Sequence, residues 1–313
     1  MIDQASKAFF HRLARSSRLK TLASRYGMKQ PESFARRFIA GETIDEAIQA
    51  ARQIEGKGLL HTLDYLGESV GSLEEADAVS REYLRIMDVI VGAGIGRNIS
   101  LKLTQLGLDL DRARARDHLR RILDHADGFF VRVDMENSPY TAVTLDTVRT
   151  LWEQGYRQIG VVLQADLKRS EQDVKEIAAL GMRVRLVKGA YLEPAAVAYT
   201  HKADVDAAYR RMLEHLLTCG HYPAIATHDT RMIAHTIRVA ETHAIARDRF
   251  EFQMLYGIRR DMQEQLVRDG YQVRVYIPFG REWFPYFMRR LGERPANLAF
   301  VLRGMIGEGL TTS

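Results

Sequence analysis

The sequence predicts an α/β fold, a closed (βα)8 barrel of the TIM type, and three observations carry the prediction. Eight short strand-like runs recur along 313 residues, at 59–65, 99–104, 129–136, 159–164, 184–188, 224–227, 250–255 and 273–277. Helix-like segments separate them, at 73–91, 112–126, 145–154, 171–180, 205–218, 232–242 and 262–268, and a last one follows Pro285. Alternating strands and helices make parallel βα units, and eight such units close into a barrel. Within the runs apolar residues alternate with charged ones. One face of each strand therefore packs under helices while the other, unusually polar, points into the barrel.

The chain begins with Lys7, Arg12, Arg15, Arg18, Lys20, Arg25 and Lys29, and no acid stands between Asp3 and Glu32. That composition resembles a transit peptide. We read it as a solvated basic helix capping the domain, with contact to an anionic membrane surface as the alternative. Thr43 followed by Glu46 has the spacing of a capping box and starts a helix that ends near Gly56 and Gly58. The organisation is thus an N-terminal helical segment over 1–50, the barrel over 51–313, and a C-terminal helix over the barrel mouth. In the third run Val131, Val133 and Met135 alternate with Arg132, Asp134 and Glu136; in the fifth, Val184 and Leu186 alternate with Arg183 and Arg185. Arg132, Arg183 and Arg274 lie deep along their strands and are expected to form structural pairs. An open doubly wound sheet would need a phosphate-binding glycine turn after an early strand. The only candidate, Gly92-Ala93-Gly94-Ile95-Gly96, precedes a strand and continues with Arg97 where a third glycine should stand. It reads as a loop.

Composition narrows the function. Hydrophobic content of 46% with 27% charged residues describes an ordinary globular protein. A net charge of +5 does not single out nucleic acid. No apolar run approaches the roughly 20 residues that cross a bilayer. The lone cysteine, Cys219, cannot form an internal disulfide, fits a reducing compartment, and reads as structural.

Function in such a barrel sits at the C-terminal ends of the strands. The interior parity there collects Asp64, Lys102, Asp134, Glu136, Gln164, Arg185, His228, Gln253 and Tyr276. Several cations converge with few acids, which suits an anionic ligand or an electron-rich ring system. Arg289-Arg290 follows the aromatic run Phe284-Pro285-Tyr286-Phe287-Met288, with Glu293 within one helical turn; an arginine pair there suits a carboxylate clamp that lysine cannot reproduce. Lys102, or Lys188 on the opposite parity, also admits Schiff-base chemistry if desolvation lowers the amine pKa. Thr227-His228-Asp229 supplies a single histidine, too few for zinc, so no metal is expected.

Six segments together resemble a known family. Leu101-Lys102-Leu103-Thr104, Arg132-Val133-Asp134-Met135-Glu136, Arg185-Leu186-Val187-Lys188-Gly189-Ala190-Tyr191, Ala226-Thr227-His228-Asp229, Phe250-Glu251-Phe252-Gln253-Met254-Leu255-Tyr256-Gly257 and Tyr286-Phe287-Met288-Arg289-Arg290-Leu291 are similar, in order, to the bacterial monofunctional proline dehydrogenases. The resemblance implies a barrel that holds FAD and oxidises L-proline to Δ1-pyrroline-5-carboxylate, the first step of proline degradation, with hydride passing from C5 to flavin N5. It implies a membrane quinone as electron acceptor, and a cytoplasmic protein with peripheral contact at the inner face of the membrane as an open alternative. Arg289, Arg290 and Lys102 would hold the proline carboxylate. Tyr276 and Tyr286 would wall the ring, Tyr191 would pack over it, and Glu293 would orient the arginine pair. Arg185 would lie beside flavin N5, with Asp134 organising the charge of the site. Met135, Gln164, Val187, Lys188, Gly189, Ala190, Thr227 and His228 would contact FAD. After Gln164 the chain reads Ala165-Asp166-Leu167-Lys168-Arg169, where many relatives carry an aromatic residue, which leaves the flavin periphery there open.

Overall fold

The computed structural model describes residues 34–293; the basic stretch from Lys7 to Lys29 lies outside the described residues, as does the side chain of Glu293. Eight parallel strands close into a barrel in chain order: β1 (Leu60–Tyr65), β2 (Asn98–Leu101), β3 (Phe130–Val133), β4 (Ile159–Gln164), β5 (Arg183–Val187), β6 (Ala224–Ala226), β7 (Glu251–Leu255) and β8 (Gln272–Phe279). The seam joins β1 to β8 in the register Thr62 to Tyr276 and Asp64 to Pro278.

Nine α-helices stand among the described residues: α1 (Ile44–Glu55), α2 (Leu73–Ala93), α3 (Arg112–Asp124), α4 (Ser138–Glu153), α5 (Ser170–Ala179), α6 (Lys202–Cys219), α7 (Thr230–Thr242), α8 (Arg260–Arg268) and α9 (Trp283–Glu293). The capping box at α1 is present: Thr43 Oγ1 accepts from the Glu46 amide, and the Glu46 carboxylate accepts from the Thr43 amide. Residue 50 falls inside α1, which packs on β1 and β8. Gly94 ends α2 in a left-handed conformation, so the glycine cluster is a helix C-cap running into a turn. Helix α4 starts well before residue 145, because Pro139 in its first turn lacks only an N–H that would go unbonded anyway.

The period-two alternation sorts the strands as the sequence predicts. Leu63, Ile99, Leu101, Val131, Val133, Val161, Leu163, Val184, Leu186, Ile225, Phe252, Met254, Val273, Val275 and Ile277 are buried in one apolar layer beneath the helices. A second apolar cluster lies at the mouth. Trp283, Phe284, Tyr286, Phe287, Met288 and Leu291 of α9 pack with Ala35, Phe38, Ile39 and with Leu66, which follows β1. Helix α9 therefore crosses the C-terminal ends of the strands, and α1 takes the flank of β8 and β1 that an eighth outer helix would otherwise cover.

The deep arginines behave differently from one another. Arg274 does form the expected ion pair, with Nε 2.9 Å from the buried carboxylate of Glu251, which also accepts from Gln253. Arg132 instead donates to the carbonyls of Val161 (3.1 Å) and Arg183 (2.7 Å) and lies over the Phe130 ring. Arg183 is stacked between Phe130 and Tyr222 and has no ion-pair partner among the described residues. Carbonyl dipoles and ring quadrupoles, both weaker than a carboxylate, hold these two. Arg183 and Arg274 border a cavity of about 860 Å³ at the N-terminal end of the barrel, lined also by Arg97, Asn98 and Arg157. Cys219 ends α6 and is exposed, so it serves no packing role.

Removing one member of a buried pair strands the other charge. Arg274→Met should cost about 3 kcal/mol in urea unfolding. Adding Glu251→Leu should recover most of that loss.

Candidate active site

Strands β2 and β3 end early, at Leu101 and Val133, yet the residues beyond them stay buried at the mouth. The Asp134 amide still donates to Leu101 O at 2.8 Å, which carries the strand direction one residue further and keeps Asp134 on the interior side. Thr104 opens a short 3-10 turn that faces Glu136.

Arg185 of β5 lies at the centre. Its Nε donates to Gln253 Oε1 of β7 (2.5 Å), one terminal nitrogen to Asp134 Oδ1 (2.6 Å) and the other to Ser100 Oγ of β2 (3.1 Å). Three of its five N–H donors are thus engaged by groups from three other parts of the barrel wall. Tyr276 Oη of β8 donates to the second Asp134 oxygen at 3.0 Å, and its ring lies beside the Arg185 guanidinium, 5.3 Å from centroid to carbon. Lys102 Nζ stands 3.6 Å from Asp64 Oδ2, both side chains almost wholly buried. Above them Arg289 of α9 forks onto the Glu68 carboxylate, at 3.0 and 2.5 Å, and lies over the Tyr191 ring.

The structure therefore brings together Lys102, Asp134, Arg185, Tyr191, Tyr276 and Arg289 with Asp64, Ser100, Glu68 and Gln253. Tyr286 belongs to the α9 cluster against which Tyr276 packs, and Arg290 lies over the Tyr286 ring. Met135 is buried beside them, and Gln164 ends β4 with a buried Oε1 that has no hydrogen-bond partner. Val187, Gly189 and Ala190 continue from β5 as a half-buried edge, with Gly189 at φ +113°. Thr227 Oγ1 accepts from the Asp229 amide, and His228 Nε2 accepts from the Leu255 amide at 2.9 Å. That bond places the His228 ring proton on Nδ1.

Lys188 stands apart from the interior group. As its parity predicts, it leaves the interior, and its Nζ lies between Asp206 Oδ1 (2.5 Å) and Asp229 Oδ2 (2.8 Å). Glu68 and Ser100 were not among the residues expected in the site. Ser100 sits on the interior parity of β2 between Asn98 and Lys102, so its position was readable. Glu68 lies in the loop after β1, and only the passage of α9 over the mouth makes it a partner of Arg289. Among the described residues no three His, Cys, Asp or Glu side chains converge as a metal site, and no helix is long and apolar enough to cross a membrane.

Two of the acids around Lys102 are pushed up by burial. Burial pushes the Glu136 carboxyl up to about 7, against the pull of its Thr104 hydrogen bonds and of Lys102. Burial also raises Asp64, which Lys102 opposes. For Glu136 the folded chain keeps a proton that the unfolded chain releases, so stability falls as pH rises between about 4.5 and about 7. That fall should amount to about 3 kcal/mol and should be largely absent in Glu136→Gln, compared by urea unfolding at both ends of the window.

A family model described as Proline dehydrogenase matches residues 47–303. The chain is 42% identical over 296 residues to Proline dehydrogenase 1 of Bacillus subtilis (strain 168), covering 94% of this chain and 97% of the relative. It is 42% identical over 313 residues to Proline dehydrogenase of Deinococcus radiodurans, covering 98% and 99%. Among solved structures, proline utilization A (PutA) from Bdellovibrio bacteriovorus inactivated by N-propargylglycine superimposes with a TM-score of 0.77 at 30% identity, over 82% of this chain and 32% of that one. A family match across most of the chain, two relatives of matching length and a shared barrel agree, and this chain belongs to the proline dehydrogenase family.

Proposed function

We propose that the chain oxidises L-proline to Δ1-pyrroline-5-carboxylate with FAD as its cofactor, the electrons leaving to a membrane quinone. The observation that carries this reading is the buried mouth itself, where Lys102, Arg185 and Arg289 meet under Tyr191 and Tyr276. The partnerless Gln164 Oε1, buried at the end of β4, suits a ring system that presents donors at its edge. A bound flavin would supply the hydride acceptor.

The chain's own residues supply the rest. Arg289, with Arg290 and Lys102, would hold the proline carboxylate, and the fork with Glu68 leaves Arg289 three N–H donors to offer. Tyr276 and Tyr286 would wall the ring and exclude water. Tyr276 cannot swing freely, because Asp134 holds its hydroxyl. Arg185, fixed by three partners, presents positive charge that needs no reorganisation when negative charge develops nearby. Met135, Val187, Lys188, Gly189, Ala190, Thr227 and His228 would line the cofactor, and Glu293 would steady the arginine pair. In the family reading the protein is cytoplasmic and meets the membrane surface only at its periphery.

A Schiff-base reading through Lys102 finds no support in the electrostatics. Such an amine needs a lowered pKa, and although burial pulls Lys102 down, Asp64 and Asp134 hold it above its ordinary value.

Purified protein should be yellow and should reduce a dye when proline is added; a colourless protein with no proline-dependent reduction would refute the assignment. Arg289→Met should raise the proline KM about a hundredfold, the loss of a charge-assisted carboxylate contact, with flavin still bound. Loss of flavin in that variant would place Arg289 elsewhere.

A further inference from the structure

We propose that Asp64 is a positioning residue that keeps Lys102 charged inside the barrel without occupying its hydrogen-bond donors, so that the ammonium stays available to a ligand carboxylate. That the carboxylate is proline's rests on the function proposed above; the Asp64–Lys102 relation does not.

Asp64 has no exposed surface, and neither of its oxygens has a partner at hydrogen-bond distance; the nearby Tyr276 hydroxyl helps its charged form from a longer range while bonding Asp134 instead. The other interior acids are all bonded: Asp134 to Arg185 and Tyr276, Glu251 to Arg274 and Gln253, Glu136 to Thr104. A buried carboxylate with no hydrogen bond costs several kcal/mol unless an opposite charge balances it. Lys102 is that charge. Its Nζ stands 3.6 Å away, and no other carboxylate among the described residues lies within ion-pair distance of it.

The separation has a chemical meaning. It is close enough for a strong Coulombic attraction in a buried setting, yet beyond a good N–H···O bond. Asp64 thus balances the ammonium from behind and leaves its three N–H donors unspent. A hydrogen-bonded partner would do the opposite, holding the charge and occupying a donor.

The groups that act on Lys102 come from several sides of the mouth: Asp64 of β1, Glu68 after it, Asp134 and Glu136 after β3, and Tyr191 after β5, while Arg185 of β5 and Tyr276 of β8 act on Asp64 and Asp134. Burial works against the ammonium, and Asp64 is the largest influence that works for it, ahead of Asp134.

The test is Asp64→Asn in the full-length, flavin-loaded protein, with proline KM and kcat followed from about pH 6 to about pH 10. The wild-type KM should carry no lysine limb in that range. In the variant burial persists while the main attraction is gone, so KM should climb about tenfold per pH unit above a new midpoint, with kcat changing far less. Asp64→Glu should restore a flat profile. A KM raised by one constant factor at every pH, or an unchanged profile, overturns the proposal.

A second arm needs no turnover: acetylation of Lys102 against pH, read by mass spectrometry. Earlier acetylation in Asp64→Asn supports the proposal and identical curves overturn it. If the wild type does not oxidise proline at all, the functional assignment fails and this arm still decides the role of Asp64. Should Asp64→Asn melt too low to assay, Asp64→Asn with Lys102→Met should melt above the single variant. If it melts no higher, the two residues do not act as a pair and the proposal falls.

Discussion

Everything at the mouth of this barrel depends on one constraint: charges inside a closed sheet must be answered by other charges or by hydrogen bonds from facing strands. Arg185 shows how the constraint becomes geometry. Its guanidinium is planar with fixed donor directions, and it reaches Ser100, Asp134 and Gln253 at once. Asp134 in turn holds Tyr276. Five side chains from separate stretches of sequence therefore share one arrangement, and none can change rotamer alone. The network sets positions to within a hydrogen bond, as a site needs if its charges are to be oriented before a ligand arrives.

Much of the fold was legible in the sequence because its main signal, alternation at period two, is also what physically sorts a strand's two faces. The outer wall from Leu63 to Ile277 and the interior set from Asp64 to Tyr276 both follow from it. Strand ends were less legible. Lys102, Asp134 and Glu136 keep alternating and remain buried, but Thr104 turns into a 3-10 segment and the ladder stops. Periodicity reports which side a residue faces and not whether its backbone is still paired. Arg132 and Arg183 illustrate a further limit. Carbonyl oxygens and ring faces leave no mark in a sequence, so an arginine held by them looks like one awaiting an acid. Family resemblance, not periodicity, pointed to the cofactor and substrate.

The Arg289–Glu68 fork could not be read from sequence for another reason. The two residues are 221 positions apart, and their meeting depends on the path of α9 rather than on any local pattern. That path also explains α1. A helix after β8 that packs over the mouth leaves the outer flank of the last strand bare, and α1 covers it, with its Thr43–Glu46 cap marking where the chain enters that layer.

The seam between β1 and β8 carries a kinetic consequence. Arg274 bonds across it to His61 O, 213 residues away in sequence, and α1 packs on both sides of the join. Seven strands can pair with close neighbours as they form, but the cylinder cannot shut until the last strand returns to the first. Until then β1 and β7 present open edges, the Glu251 carboxylate lacks its guanidinium and the flank under α1 is only half built. The chain must therefore hold an almost complete sheet with its two most aggregation-prone edges exposed, and docking of β8 between β7 and β1 covers both together.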